Sequence, residues 1–275
     1  MEKKEQHGLW KISFFIFPVL IIFLVYSSCG PKDPEVPVPT TTANPTSTTG
    51  TFTPQKAHVD PPVFNMDSAY AFVKFQCAMG PRNPGSKAHE KCAQWLEKKL
   101  KSYGAKTTVQ TSTVQTFDEK KWLCKNIIAA FNPDAKDRVL LCAHWDTRPF
   151  ADHDTIEKNK TLPIIGANDG ASGVGVLMEV ARVMSQKKTE VGIDIILFDM
   201  EDYGNSDNEE SWCLGAQYWG KNLHEPQYFA KFGILLDMVG AKGAVFPKEG
   251  SSLYYARDIV DKVWSTGQLM GFGNY

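Results

Sequence analysis

The sequence has no surplus of charge: 30 lysines and arginines face 31 aspartates and glutamates across 275 residues, for a formal net charge of -1. A surface without a basic excess does not draw phosphate backbones or anionic headgroups toward it, which excludes nucleic acid as an expected partner. Cysteine is scarce as well. Beyond Cys29 there are only Cys77, Cys92, Cys124, Cys142 and Cys213, with no Cys-x-x-Cys spacing. Five thiols so placed define neither a disulfide framework nor a cysteine zinc site, and most of them read as core residues. No internal repeat is evident, and the apolar run from Ile12 to Tyr26 is shorter than the roughly 20 residues of a spanning helix.

That short run has another meaning. Lysines precede it, and small residues and Cys29 follow it in "YSSCG". This is the layout of an export signal, and it is similar to a bacterial lipoprotein signal, with Tyr26 where an aliphatic residue is usual. Residues 1-29 are therefore expected to direct the chain to the bacterial cell envelope, as a periplasmic or outer-membrane lipoprotein held to the membrane by lipid on Cys29. An uncleaved anchor is the alternative. Residues 30-62, rich in Pro and Thr and nearly free of large apolar side chains, cannot bury enough surface to offset their ordering entropy and read as a tether. Residues 63-275 are left for the folded domain.

Within that domain, "NMDSAYAFVKFQCAM", "SKAHEKCAQWLEKKLKSYG" and "ASGVGVLMEVARVMSQKK" carry helical apolar spacing; the second has Ser86 as N-cap and Gly104 as its stop. "KTTVQTSTVQTF" alternates like a strand with one wet face, while "KNIIAAF", "RVLLCAH", "DIILFD" and "FGILLDMVG" are short apolar runs expected to be central strands. Strand, helix, strand in that order predicts an α/β three-layer sandwich, with a mixed, mostly parallel sheet between helices. Chemistry in such sheets collects beyond the carboxyl ends of the strands.

Those ends supply His144, Asp146, Asp169, Asp199, Glu201, Asp202 and Asp237. Carboxylates gathered in one cleft repel one another strongly unless a cation relieves them. An imidazole among carboxylates suits zinc better than magnesium or calcium, which prefer oxygen cages. Adjacent acids at 201 and 202 allow one to ligate metal while the other moves protons.

The motifs "GPRNPGS", "AHWDTRPFADHD", "GANDGASGVGVLMEVAR", "FDMEDYG" and "LLDMVGA" together resemble the zinc aminopeptidase superfamily that includes the animal-type glutaminyl cyclases. "HWDTRPFAD" and "ESWCLGAQYW" look most like its secreted bacterial cyclases. The resemblance implies a zinc exopeptidase-like fold and a zinc cofactor bound by Asp169 and Asp202, with Glu201 as general acid and base and Asp237 in a hydrogen-bond network at the substrate. It implies that His144 is a ligand only if a second zinc binds, and that Asp146 orients His144. Trp212 is a candidate wall of the substrate pocket, or a core residue. The implied reaction converts the N-terminal glutamine of peptides to pyroglutamate with release of ammonia. A two-zinc aminopeptidase and an inactive tethered binding protein are the alternatives. Relatives use a histidine ligand farther along, whereas no histidine follows His224 here. The chain is therefore expected to be incomplete at its C-terminus, lacking that ligand and the last strand and helix. His153 is expected at a pocket rim and His224 at the surface.

Overall fold

A computed structural model describes residues 62-275. The export signal, Cys29 and the tether up to residue 61 lie outside the described residues. Among the described residues no helix is long and apolar enough to cross a membrane.

The helices begin where side chains replace the hydrogen bonds that a first turn lacks. Asn65 accepts the Ser68 amide at 2.9 Å to open α1 (Met66–Ala78). Ser86 accepts the His89 amide at 3.0 Å to open α2 (Lys87–Ser102), and Gly104, at φ +86°, follows its end as expected. β1 (Lys106–Gln115) and β2 (Lys121–Phe131) form an antiparallel pair with Lys106 opposite Ala130 and Gln115 opposite Lys121. Pairing with the whole of β1 starts β2 at Lys121, ahead of the apolar run that begins at Lys125.

Next come β3 (Arg138–His144), α3 (Ala171–Gln186), β4 (Gly192–Phe198), α4 (Leu214–Lys221), β5 (Gly233–Leu235), α5 (Gly250–Tyr255) and α6 (Arg257–Leu269). The sheet order is β1-β2-β4-β3-β5. β3 runs parallel to both β4 and β5, and β2 runs against both β4 and β1. All strands but β2 thus share one direction, giving the mixed, mostly parallel sheet that the sequence predicts.

Successive strand residues face opposite sides of a sheet. Ile127, Ala129, Ala143, Ile195 and Leu197 accordingly share a core with Leu96 and Leu100 of α2 and Val174, Leu177 and Met178 of α3. Ile128, Cys142, Ile196 and Phe198 face the other way, against Ala216 and Trp219 of α4. Helices cover both faces, and the three-layer expectation holds. Cys92, Cys124 and Cys142 are buried, and all five described cysteines are free thiols.

β5 departs from its expected place at the centre of the sheet. It pairs only with Leu140–Cys142 of β3, and Leu235 remains 62% exposed. Among the described residues no strand pairs with its outer edge. The run "ILLDMVG" reads as a buried strand because its residues are apolar, but β5 ends at Leu235, a last hydrogen bond to β3 runs from the Leu236 amide to Cys142 O at 2.8 Å, and Met238 turns left-handed at φ +50°.

At the opposite end of the sheet, Arg138 grips Asp194 through two hydrogen bonds, Nε to Oδ2 at 2.7 Å and Nη2 to Oδ1 at 2.6 Å. The Tyr228 hydroxyl donates to the same carboxylate at 2.8 Å. Asp194 is 1% exposed. Asp194→Ala leaves a buried guanidinium without its counter-charge, so denaturant unfolding should show a loss of about 3–5 kcal/mol. A loss below about 1 kcal/mol, the value of an exposed pair, would contradict this reading.

Candidate metal and active site

The carboxyl ends of β3, β4 and β5 open on one edge of the sheet, and the polar residues after them meet there. β3 ends at His144, and the Trp145 amide then donates to Phe198 O at 2.9 Å, holding the two strand ends together. Asp146 follows, with no exposure. Its Oδ1 lies 3.4 Å from His144 Nδ1 and accepts the Glu201 amide at 3.1 Å, while its Oδ2 accepts the Asp202 amide at 3.2 Å. One buried carboxylate therefore orients the histidine at the end of β3 and the two acids beyond β4.

The other imidazole nitrogen of His144 faces Asp169 Oδ1 at 2.9 Å and Asp237 Oδ1 at 3.4 Å. Close backbone approach makes this convergence possible. Gly170 sits at φ +86°, and a β-carbon there would crowd Asp146 O and His144. A β-carbon on Gly173, in the first turn of α3, would overlap Leu236 O next to Asp237. Side chains ahead of and within that turn fasten the same segment: Ser172 Oγ accepts the Val239 amide at 3.0 Å and Asn168 Oδ1 the Gly240 amide at 2.8 Å.

Glu201 Oε2 lies 3.9 Å from His144 Nδ1, and Glu201 Oε1 accepts the Cys213 thiol at 3.2 Å. Burial pushes the Glu201 carboxyl above its usual value. Asp202 is more extreme: burial first, then the charge of Asp169, raise it to about 8. Its Oδ2 is buried without a hydrogen-bond partner, and its Oδ1 is 3.6 Å from Arg148 Nη1. Burial disfavours a charged His144, yet the carboxylates of Asp146, Asp169 and Asp237 outweigh it and hold the imidazole well above its ordinary pKa.

Ligand atoms of His144, Asp169 and Asp237 all lie within 4.8 Å of one another. His144 Nε2, although close to Asp169, forms no hydrogen bond of good geometry. An imidazole nitrogen without a hydrogen-bond partner, two converging carboxylates and the orphaned Asp202 oxygen form the donor set that a zinc ion takes. The residues present fit the metal. The cluster centres on His144, Asp169 and Asp237, with Asp202 buried beside it and outside that triad.

Other sequence candidates fall elsewhere. Asp199 turns away from the cluster: its Oδ1 bonds His89 Nε2 at 2.8 Å and its Oδ2 accepts the Lys125 amide at 2.7 Å. His153 is exposed. His224, expected at the surface, is half-buried, with its Nδ1 accepting from Trp219 Nε1 at 3.0 Å and its ring 4.5 Å from that of Tyr228; neither histidine approaches the cluster. Trp212 is half-buried on Gly204, with the Arg148 guanidinium 4.9 Å from its ring.

Two arginines went unnoticed in the sequence. Arg82, wholly buried, donates to Trp145 O, Ile165 O and Gly166 O at 2.8–2.9 Å, joining the loop before α2 to the segment after β3 and the turn before α3. Arg148 lies between Phe150 and Trp212 and donates to Asp202 O at 3.1 Å and Gly204 O at 3.3 Å. The only signal for Arg82 is its position as the one charge in the turn "GPRNPGS".

Comparison with known proteins agrees with this geometry. Residues 126–271 match the family described as Peptidase family M28. The crystal structure of Tannerella forsythia glutaminyl cyclase is 50% identical, over 78% of this chain and 75% of that one, with a TM-score of 0.76. That of a leucine aminopeptidase precursor from Bacteroides thetaiotaomicron is also 50% identical, over 78% of this chain and 76% of that one, with a TM-score of 0.77. Glutaminyl-peptide cyclotransferase of Boiga irregularis is 25% identical over 190 residues, 60% of this chain and 50% of that protein. The chain spans about half the length or less of the curated relatives first matched.

The raised Asp202 carboxyl makes stability depend on pH. Asp202 ionises near 4 when unfolded and near 8 in the folded, metal-free protein. Between those values the folded state holds more protons, so this group subtracts stability as pH rises from about 4 to about 8. In chelated protein, the thermal midpoint of Asp202→Asn should gain on that of the wild type through this window. A gap that stays constant from about pH 5 to about pH 8.5 would show that Asp202 is not the group responsible.

Proposed function

Because the chain belongs to peptidase family M28, we propose that it is a zinc-dependent glutaminyl-peptide cyclotransferase, acting on peptides and proteins that begin with glutamine. The observation that carries this reading is the placement of Glu201, a buried carboxyl with a raised pKa, directly beside the His144, Asp169 and Asp237 cluster. The 50% identity to a structure named as a glutaminyl cyclase supports it.

Asp169 and Asp202 would hold the zinc, with His144 and Asp237 next to Asp169. Bound there, zinc supplies Lewis acidity toward a carbonyl oxygen and offsets the repulsion among the carboxylates. The remaining work falls to the chain. Glu201 takes a proton from the substrate's α-amine as its nitrogen attacks the side-chain amide carbon, and returns a proton to the departing ammonia. The new C–N bond closes the pyroglutamyl ring as the amide C–N bond breaks. A carboxyl raised by burial suits both halves of that exchange near neutral pH. Asp237, 40% exposed on its side chain, offers an acceptor to the substrate's N–H groups. Trp212, fixed by Arg148 next to the Asp202 backbone, flanks the pocket. Because the nucleophile belongs to the substrate, holding it against the carbonyl supplies much of the acceleration.

A second reading, a two-zinc aminopeptidase, draws on one observation: His144 and Asp237 already converge with Asp169 and could hold another ion, as would suit the similarity to a leucine aminopeptidase precursor. For the location, the lysines, apolar run and Cys29 of residues 1–29 support a lipid-anchored protein of the bacterial envelope.

Mass spectrometry of a peptide beginning with glutamine separates the two chemistries. Loss of one ammonia from an otherwise intact peptide, abolished by a chelator and reduced roughly 10²–10⁴-fold by Glu201→Gln, is expected. Release of the whole first residue would overturn the cyclase reading in favour of the peptidase.

A further inference from the structure

Cys213 occupies a position that ordinary helix chemistry does not explain. It caps α4, where Ser, Asp, Asn or Gly is preferred, yet its side chain makes no capping hydrogen bond. It also sits in the left-handed region, at φ +55° and ψ +34°, where a residue with a β-carbon is uncommon. That unusual backbone is tied to the strand end carrying the candidate base: the Cys213 amide donates to Glu201 O at 3.0 Å and the Leu214 amide to Met200 O at 2.9 Å. With the backbone so fixed, the thiol meets Glu201 Oε1 at 3.2 Å. The second carboxylate oxygen, Oε2, is the one on the His144 side, 3.9 Å from Nδ1.

We propose that Cys213 is a positioning residue for the reaction: its thiol hydrogen holds Glu201 Oε1, so that Oε2 is the oxygen that accepts and returns the proton. This rests on the reading of Glu201 as general acid and base. A carboxylate on a flexible side chain has two equivalent oxygens and free rotation about its last bond, and engaging one of them fixes where the other points. A thiol is a weak donor, so it orients the carboxylate without competing strongly with substrate for it.

A purely structural role makes a different forecast. Glycine adopts φ near +55° without strain, so if Cys213 served only the backbone, Cys213→Gly would be harmless. Four variants of the full chain, Cys213→Gly, Cys213→Ala, Cys213→Ser and Glu201→Gln, are compared by kcat and KM on a glutaminyl peptide and by thermal midpoint. The positioning role predicts that Cys213→Gly keeps or raises the midpoint but lowers kcat roughly tenfold with KM within about twofold. Cys213→Ser, which retains a donor, should recover most of the lost kcat. Wild-type kcat in Cys213→Gly, with Glu201→Gln inactive, would overturn the proposal and leave the Glu201 reading standing. Wild-type kcat in Glu201→Gln would overturn both. The contact also has a readout that needs no turnover: the S–H stretching band of Cys213, identified by its loss in Cys213→Ser. It should lie below that of a free thiol in the wild type and move up in Glu201→Ala; a free-thiol band in the wild type would overturn the proposal.

Discussion

The site depends on one buried carboxylate. Asp146 has no exposure, and it accepts from the Glu201 and Asp202 amides while facing His144 Nδ1. A carboxylate in that position cannot be left unpaired. Its two backbone donors and the imidazole satisfy it, and in doing so they fix the angle between the end of β3 and the loop after β4. Engaging Nδ1 also turns Nε2 toward Asp169 and Asp237, the arrangement that a neighbouring carboxylate commonly imposes on a metal-binding histidine. Removing Asp146 would therefore disturb His144, Glu201, Asp202 and the strand ends together.

Around that anchor the protein tolerates a concentration of negative charge that would otherwise oppose folding. Arg82 and Arg148 are placed at its borders, but Arg82 spends its donors on backbone carbonyls, and Arg148 divides its own between the Asp152 carboxylate, outside the cluster, and the Asp202 and Gly204 carbonyls. Neutralisation is left to the His144 imidazole and to the proton held on Asp202. A bound cation would replace both. The elevated pKa of Asp202 and the orphaned oxygen that accompanies it express the same condition, a cleft shaped for a charge supplied from outside.

Much of this was legible in the sequence. "RVLLCAH" is β3 to the residue, Ser86 caps α2 as its spacing implies, and the strand-end positions of His144, Asp146, Glu201 and Asp237 follow from apolar runs that stop abruptly, while Asp169 sits in the glycine-rich turn ahead of α3. What escaped has physical reasons. Asp199 ends an apolar run just as Glu201 and Asp202 follow one, but the pleat sends its side chain into the α2 layer, where His89 waits 110 positions away in the chain. Arg82 acts through carbonyl oxygens, which every residue possesses, so no partner type marks it in advance. The exposed β5 was misjudged because apolar content reports what a strand could bury and not whether a neighbour is present to bury it. Nothing in the sequence distinguishes Cys213 from the other thiols, because its left-handed backbone, which aims it at Glu201, is a tertiary property.

The carboxylates gathered around His144 are assembled to hold a zinc ion. This is tested most directly by adding zinc to chelated full-length protein and following the thermal midpoint, with Asp169→Ala as the control. A ligand that binds the folded state raises its stability in proportion to the logarithm of its concentration, so the wild-type midpoint should climb with zinc while that of Asp169→Ala stays flat. A wild-type midpoint indifferent to zinc, or one that rises equally in the variant, would contradict the account.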